Sequence, residues 1–366
     1  MSLAAHHVQL RDAVRRYAAE MLAPNAPAWD RDKHFPREEV KGLAQMGLMG
    51  VAIPEEWDGA GMDTTALAIA CEEISAGDGA TCTIVMVTNL VANILHGYGS
   101  AAQKAEFLKP VARGDMLGAF ALTEPHVGSD AAAITTRAEK SGAGYVLNGV
   151  KQFVTSGKNA DVAVVFAVTD KAAGKKGISA FVVPTSTPGY NASRLEEKTG
   201  QRASDTAQVV LENCKVSAAW RLAEEGVGYR IALANLETGR INVAAQATGM
   251  ARTALEAALA CGRPRLHRTL LQLRELRAVD SAVPRARGRP ESDRGLDLRR
   301  LGRAAERALR GEGGRRAAPP GGVASGRRAR APLPDRRRAD RDDARAGPAR
   351  LVLARALRGY SQPITS

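Results

Sequence analysis

The chain has 366 residues and a formal net charge of +13, enough length for two or three domains with a sizeable core. Its four cysteines show no CxxC or metal-type spacing, so reduced core thiols in a cytoplasmic protein are expected rather than a disulfide scaffold or a metal site. The sequence contains no signal peptide and no apolar run near 18 residues, which argues against a membrane-spanning protein.

The positive charge is confined to the last third of the chain. Residues 1–261 carry 25 Lys and Arg against 28 Asp and Glu, whereas residues 262–366 carry 27 Arg, no Lys and 11 acidic residues. A segment dominated by Arg, Ala, Gly and Pro cannot bury enough apolar surface to offset its ordering entropy. We therefore predict poor order over residues 262–349. Such a composition is typical of a GC-rich gene translated in the wrong frame.

Residues 1–117 are predicted to form an N-terminal helical domain. Apolar residues recur at helical spacing in four stretches, which predicts helices over 10–21, 38–49, 64–76 and 80–98. The last of these helices is nearly apolar throughout, and we therefore expect it inside a bundle.

From Met116 the hydrophobic period changes to two, as in β-strands. Short strands are predicted over 118–122, 144–148, 163–168, 178–183 and 205–211. The block 118–224 therefore suggests a small β-barrel or sandwich, and helix resumes over 225–261. The predicted fold class is α+β, with a central β domain between two helical domains, the second of them incomplete.

Two segments of the β domain carry the most functional information. Gly118-Ala-Phe-Ala-Leu-Thr-Glu-Pro-His-Val-Gly-Ser-Asp130 and Lys151-Gln-Phe-Val-Thr-Ser-Gly157 each indicate a strand that ends in a polar turn. Hydroxyls and backbone N–H groups at a strand end are well placed to hold a cofactor. At these motifs the chain resembles the acyl-CoA dehydrogenases, flavoenzymes that desaturate acyl thioesters. The resemblance runs from about Leu10 to Cys261, and the order of helical, β and helical parts is that of the family's fold.

The resemblance implies an FAD site on the first motif. It places Phe120, Leu122 and Thr123 along the flavin, with the Thr123 hydroxyl on the pyrimidine edge. It also places Gly128 and Ser129 at the cofactor, with Ser129 directed toward the pyrophosphate and the bound CoA ester.

The second motif, Phe153-Val-Thr-Ser-Gly157, is similar to the family's Trp-Ile-Thr-Asn-Gly. The resemblance implies that Phe153 packs on the isoalloxazine ring, that Val154 adjoins it, and that Thr155 hydrogen-bonds near N5.

Two further segments are similar to family motifs. In Glu197–Thr206 we expect a mainly structural role, with Arg202 and Asp205 paired. In Leu236–Asn242 the resemblance places Glu237 and Arg240 at the CoA part of the substrate. The alternative for Glu237 and Arg240 is a surface ion pair at i,i+3 spacing.

No segment after Cys261 resembles the family's remaining motifs, which include a Glu-Gly that supplies the catalytic base. Some relatives carry the base one residue before the conserved arginine, but that position is Gly239 here. Residues 350–366 again resemble the family's final helix and tail. When the family's spacing is counted back from Arg350 without gaps, the position of the catalytic base falls on Asp343, which we regard as coincidence. We hypothesise that residues 262–349 are out of frame, and reading the coding DNA in its other frames tests this.

The resemblance implies FAD-dependent α,β-desaturation of a short or branched acyl-CoA in fatty acid or amino acid catabolism, with electrons passed to an electron-transfer flavoprotein. The family is homotetrameric, but the missing motifs predict impaired assembly and weak or absent turnover. One alternative is a flavin-dependent monooxygenase or an inactive acyl-CoA binder on the same fold. The other is a protein whose Arg-rich tail binds nucleic acid through phosphate contacts, although that tail lacks aromatic stacking residues. No membrane partner is expected.

Overall fold

A computed structural model describes residues 3–261 of the chain. The described residues up to Thr253 belong to one compact unit. The predictions made for residues 262–349, for the final helix at 350–366 and for Asp343 lie outside the described residues.

Helices occupy the chain before the first strand, as the apolar spacing predicts. They are α1 (Ala5–Tyr17), α2 (Ala26–Asp32), α3 (Arg37–Gln45), α4 (Thr64–Gly77), α5 (Gly79–Tyr98), α6 (Ala101–Gln103) and α7 (Lys109–Arg113). The predicted helices over 64–76 and 80–98 are confirmed. The helix predicted over 38–49 ends earlier, because Gly47 adopts a left-handed φ of 77° that stops an α-helix.

Helix α5 is the central helix of the N-terminal part. The Asp78 carboxylate caps it by accepting hydrogen bonds from the backbone N–H groups of Ala80 and Thr81. Its length and composition would allow a membrane crossing, but 67% of its most apolar 18-residue window is buried inside the protein. The expected place of this helix inside a bundle is confirmed.

The central part is one hydrogen-bonded sheet of eight strands. These are β1 (Gly118–Ala121), β2 (Arg137–Ser141), β3 (Gly144–Thr155), β4 (Val162–Val168), β5 (Ile178–Pro184), β6 (Tyr190–Leu195), β7 (Thr206–Ser217) and β8 (Arg221–Leu222). The strand order is β6-β7-β3-β2-β4-β5-β8, and β1 pairs in parallel with β4. The single registered pair Arg137–Val168 joins the half that contains β3 to the half that contains β4. The predicted central β domain is confirmed.

Contact between α5 and β1 sets the position of the first motif. Gly118, at the start of β1, lies so close to α5 that a Cβ on it would be 2.7 Å from the Cβ of Val91. Only glycine allows this approach without a shift of the helix. The chain then leaves β1 at Ala121 and enters the motif loop. Helix α8 (Gly228–Cys261) follows the sheet and carries the fourth family-like motif.

Candidate functional site

The two motif segments lie side by side in the structure. The backbone N–H of Gln152 donates a hydrogen bond to the Thr123 carbonyl at 2.8 Å. The Lys151 ammonium donates to the Leu122 carbonyl at 3.1 Å. The loop that follows β1 is therefore attached to the last part of β3, and the two segments form one site.

A buried ion pair stands at this junction. The Lys151 Nζ lies 2.9 Å from Glu124 Oε1, and the two side chains are 0% and 1% exposed. The carboxylate also accepts hydrogen bonds from the N–H and hydroxyl of Thr135, both at 2.7 Å, and from the N–H of Thr136 at 2.9 Å. Glu124 therefore joins the motif loop to β3 and to the segment that leads into β2.

The two partners of this pair respond differently to burial. Desolvation by itself would raise the pKa of Glu124, but the nearby Lys151 charge and the hydrogen bonds from Thr136, Lys151 and Thr135 outweigh it, and the pKa falls to about 2. For Lys151 desolvation prevails over the attraction of Glu124, and its pKa falls to about 8. At neutral pH both groups carry their charge.

Phe153 projects from a β-bulge next to this pair. The register of β3 against β7 shifts between Lys151 and Val154, and Phe153 has a left-handed φ of 56°. The residue is 61% exposed. A bulky residue with positive φ is a conformational outlier, and such outliers and bulges concentrate at ligand sites, where they redirect a side chain. An exposed aromatic ring held in a strained backbone is suited to stack on a flat ligand.

The turn after β3 is fixed by Asp205. Its carboxylate accepts from the N–H of Lys158 at 2.9 Å and from the Asn159 amide at 3.0 Å, and its carbonyl accepts from the N–H of Ser156. The expected pairing of Asp205 with Arg202 is wrong, because these donors take up the carboxylate. Arg202 instead donates its backbone N–H to Asp30, and its Nε is buried without a hydrogen-bond partner among the described residues.

The remaining flavin residues of the sequence analysis fall into two groups. Thr123 and Thr155 are half-buried, one on each of the two adjacent segments. By contrast, Leu122 and Val154 are 7% and 1% exposed, and their side chains pack in the core.

Three other predicted residues lie at the edges of the site. Phe120 is half-buried and packs on Phe166, with ring centroids 5.1 Å apart. Gly128 and Ser129 are exposed just after the turn that pairs Glu124 with Val127. Apart from its chain neighbours, no atom of the described residues lies within 4 Å of a Cβ built on Gly128, so the described part of the chain leaves the space beside this turn open.

Glu237 and Arg240 lie on α8 and are exposed. Neither forms a salt bridge with the other, so the alternative of a surface ion pair is wrong. Among the described residues, neither side chain forms a salt bridge.

Lys151 and Glu124 are the residues of this site that the sequence analysis missed. A lysine inside a strand with buried neighbours was the available signal, because a fully buried lysine requires an acidic partner. The sequence did not reveal which acid this would be.

One group of side chains of the types that bind metal ions occurs among the described residues. His6, His7 and Asp63 have donor atoms within 4.8 Å of one another. Asp63 caps α4 through the N–H of Ala66 and accepts a hydrogen bond from His7 Nε2 at 3.0 Å. Helix capping accounts for this arrangement.

Comparison with known proteins follows the same division of the chain. Residues 4–115 match the acyl-CoA dehydrogenase N-terminal domain, and residues 119–214 match the acyl-CoA dehydrogenase middle domain. The fold is similar to butyryl-CoA dehydrogenase from Megasphaera elsdenii, with a TM-score of 0.70 and 36% identity over 72% of this chain and 70% of that one. The chain belongs to the acyl-CoA dehydrogenase family.

Two further members of the family bear on substrate and cofactor. The mitochondrial short-chain specific acyl-CoA dehydrogenase of Rattus norvegicus is 42% identical over 69% of this chain and 62% of its own length. The chain thus spans about three-fifths of that relative. A glutaryl-CoA dehydrogenase from Mycobacterium smegmatis, solved in complex with FADH2, has a TM-score of 0.67 and 35% identity over 72% of this chain and 67% of that one.

Proposed function

We propose that this acyl-CoA dehydrogenase family member holds FAD and the thioester end of a short or branched acyl-CoA, at the site where α,β-desaturation takes place. One observation carries the proposal. Phe153 is exposed and has a strained backbone φ, and it lies on the segment that is hydrogen-bonded to the Thr123 loop. Family membership and a relative that binds FADH2 support the choice of FAD.

The described residues fit an isoalloxazine ring. Phe153 supplies an aromatic face, and Thr123 and Thr155 supply half-buried hydroxyls at the two adjacent segments. When bound, FAD supplies the acceptor for the hydride that leaves Cβ of the acyl chain.

The CoA part of the substrate calls for polar and cationic groups. Ser129 is exposed at the open turn, and Arg240 is exposed on α8 with Glu237 beside it. A guanidinium binds phosphate through charge-assisted hydrogen bonds, so Arg240 is the stronger candidate of these three residues.

Desaturation also needs a base for the α-proton. Gly239 has no side chain that could serve, and the base remains unassigned. Without an assigned base, we expect flavin to bind but turnover to be weak or absent. We further expect any electrons to pass to an electron-transfer flavoprotein, a cytoplasmic location, and impaired assembly of a tetramer.

An absorbance experiment tests this function. The purified protein is supplied with FAD, the free flavin is removed, and butyryl-CoA is added without oxygen. We expect a bound yellow flavin whose spectrum is perturbed by butyryl-CoA, with bleaching if any base acts. Phe153→Ala is expected to weaken FAD binding, whereas Leu195→Ala, which removes another exposed apolar side chain on β6, leaves it unchanged.

The outcomes separate the alternatives. Perturbation of the spectrum without bleaching identifies an acyl-CoA binder that lacks a base. Turnover that depends on NADH and oxygen identifies a monooxygenase. Failure to retain FAD contradicts the proposed function.

A further inference from the structure

We propose that Lys151 and Glu124 are positioning residues of the flavin site. Their buried ion pair holds the Leu122–Glu124 loop on the β3 bulge, so that Thr123 and Phe153 face a single ligand. The identity of that ligand rests on the proposed function.

Three hydrogen bonds attach the loop to β3, and Lys151 makes two of them. Its ammonium reaches the Leu122 carbonyl at 3.1 Å and Glu124 Oε1 at 2.9 Å, and the third bond runs from the Gln152 N–H to the Thr123 carbonyl. Because these bonds are on consecutive residues of both segments, loss of the Lys151 bonds would leave the loop attached at one point.

The pair also fixes where the bulge begins. Lys151 is the last residue of β3 in register with β7, opposite Val209, before the shift. In a regular strand the side chains at 151 and 153 would point to the same face. Here Lys151 is fully buried while Phe153 is 61% exposed. Anchoring Lys151 therefore determines the position from which the Phe153 ring projects.

Burial of two charges is a poor means of stabilising a fold. The desolvation of both ions roughly cancels their attraction, and well-packed apolar side chains would serve as well or better. A buried pair is better suited to select one arrangement of the segments it joins. Its place between the two motif segments indicates that the selected arrangement is that of the ligand site.

The test uses the full chain with three variants at the pair, Lys151→Met, Glu124→Gln and the double variant. The double variant leaves no unpaired buried charge, so we expect it to fold even where a single variant does not. The control is Glu73→Gln, which removes a carboxylate that is 2% exposed and held by Arg15 and Arg252, away from the motif segments.

Two measurements are made on each protein. Amide hydrogen exchange at Gln152 reports attachment of the loop without any flavin. Titration with FAD, followed by absorbance and visible circular dichroism, reports how the ligand is held. We expect the three pair variants to speed Gln152 exchange and weaken FAD binding, each by tenfold or more, with an altered flavin dichroism. Glu73→Gln is expected to keep FAD affinity within twofold of the wild type, and to speed Gln152 exchange no more than its loss of global stability does.

Unchanged Gln152 exchange and FAD affinity in the folded double variant would overturn the proposal. So would an equal loss of affinity in Glu73→Gln, since that would show general destabilisation. If the wild type takes up no FAD, the proposed function fails, and the exchange measurement alone decides whether the pair attaches the loop.

Discussion

The Thr123 carbonyl accepts a hydrogen bond from the backbone N–H of Gln152 at 2.8 Å. This bond places the residue after Gln152, the exposed Phe153, beside the loop that carries Thr123. Two segments that are distant in sequence thereby adjoin, one with the exposed Phe153 and the other with the half-buried Thr123. The geometry of the site follows from this contact and from the ion pair beneath it.

The backbone strain at Phe153 can be measured by comparing two variants without the ring. Phe153→Ala keeps a side chain at a φ of 56°, whereas Phe153→Gly does not. We expect Phe153→Gly to have the larger free energy of unfolding, by about 1 kcal/mol, because only glycine adopts this φ without steric cost. Urea unfolding of the two variants measures the difference.

Both variants are also expected to bind FAD less tightly than the wild type, since both lack the ring. If Phe153→Gly is more stable than Phe153→Ala while both bind FAD less tightly than the wild type, the strain is retained for ligand binding. Equal stability of the two variants would contradict the strain.

The low pKa of Lys151 gives stability a specific dependence on pH. Between pH 8 and the ordinary lysine pKa near 10.5, the unfolded chain keeps a proton that the folded chain has released. The free energy of unfolding therefore gains a term that increases with pH, by up to about 1.4 kcal/mol per pH unit. Lys151→Met lacks this term. We expect the difference in stability between wild type and variant to grow from pH 8 to 9.

The low pKa of Glu124 gives stability a second dependence on pH, at acid pH. Glu124 has a pKa of about 2 against an ordinary value of 4.5, so its contribution is complete above pH 4.5 and is lost as pH falls toward 2. Glu124→Gln should flatten the dependence on pH in that window. Parallel curves for wild type and variants in both windows would mean that neither pKa is shifted.

The helices and most strands could be predicted from sequence because their apolar period is local information. The end of α3 could not, since it depends on the left-handed turn at Gly47. The strands over 137–141 and 190–195 were missed because most of their residues are exposed and polar, and it is pairing with β3 and β7 that makes them strands.

The site shows the same limit. The motif residues followed from a resemblance, but the Lys151–Glu124 pair follows from how β1 and β3 meet. The expected Arg202–Asp205 pairing is wrong, because the Asp205 carboxylate accepts hydrogen bonds from the Lys158 N–H and the Asn159 amide instead. Short spacing in sequence did not determine which charges pair.

Buried and exposed carboxylates should differ sharply in their effect on stability. Glu73 is 2% exposed and bonded to both Arg15 and Arg252, whereas Glu197, which pairs with Lys33, is 77% exposed. We expect Glu73→Gln to lower the free energy of unfolding by about 1–3 kcal/mol, because the buried side chain loses its charge-assisted hydrogen bonds with Arg15 and Arg252. Glu197→Gln should leave it essentially unchanged, because an exposed ion pair contributes little. Chemical denaturation of both variants provides the comparison, and similar losses would contradict the role of burial.

Asp205 offers a test of how the turn after β3 supports the proposed site. Its carboxylate holds the N–H of Lys158 and the amide of Asn159, just beyond Thr155. Asp205→Ala should cost about 1–3 kcal/mol of stability, because a turn N–H and an amide lose their acceptor. We also expect FAD affinity to fall, since Thr155 would lose its fixed position. Asp205→Asn keeps one acceptor oxygen and should recover part of both losses.

The matched control for this prediction is Asp170→Ala. The Asp170 carboxylate also accepts from a turn N–H, that of Ala172 at 2.9 Å, but in the connection between β4 and β5. We expect a small loss of stability and unchanged FAD affinity for this variant, as measured by urea unfolding and flavin titration. If Asp205→Ala and Asp170→Ala reduced FAD affinity equally, the turn after β3 would have no special part in holding the ligand.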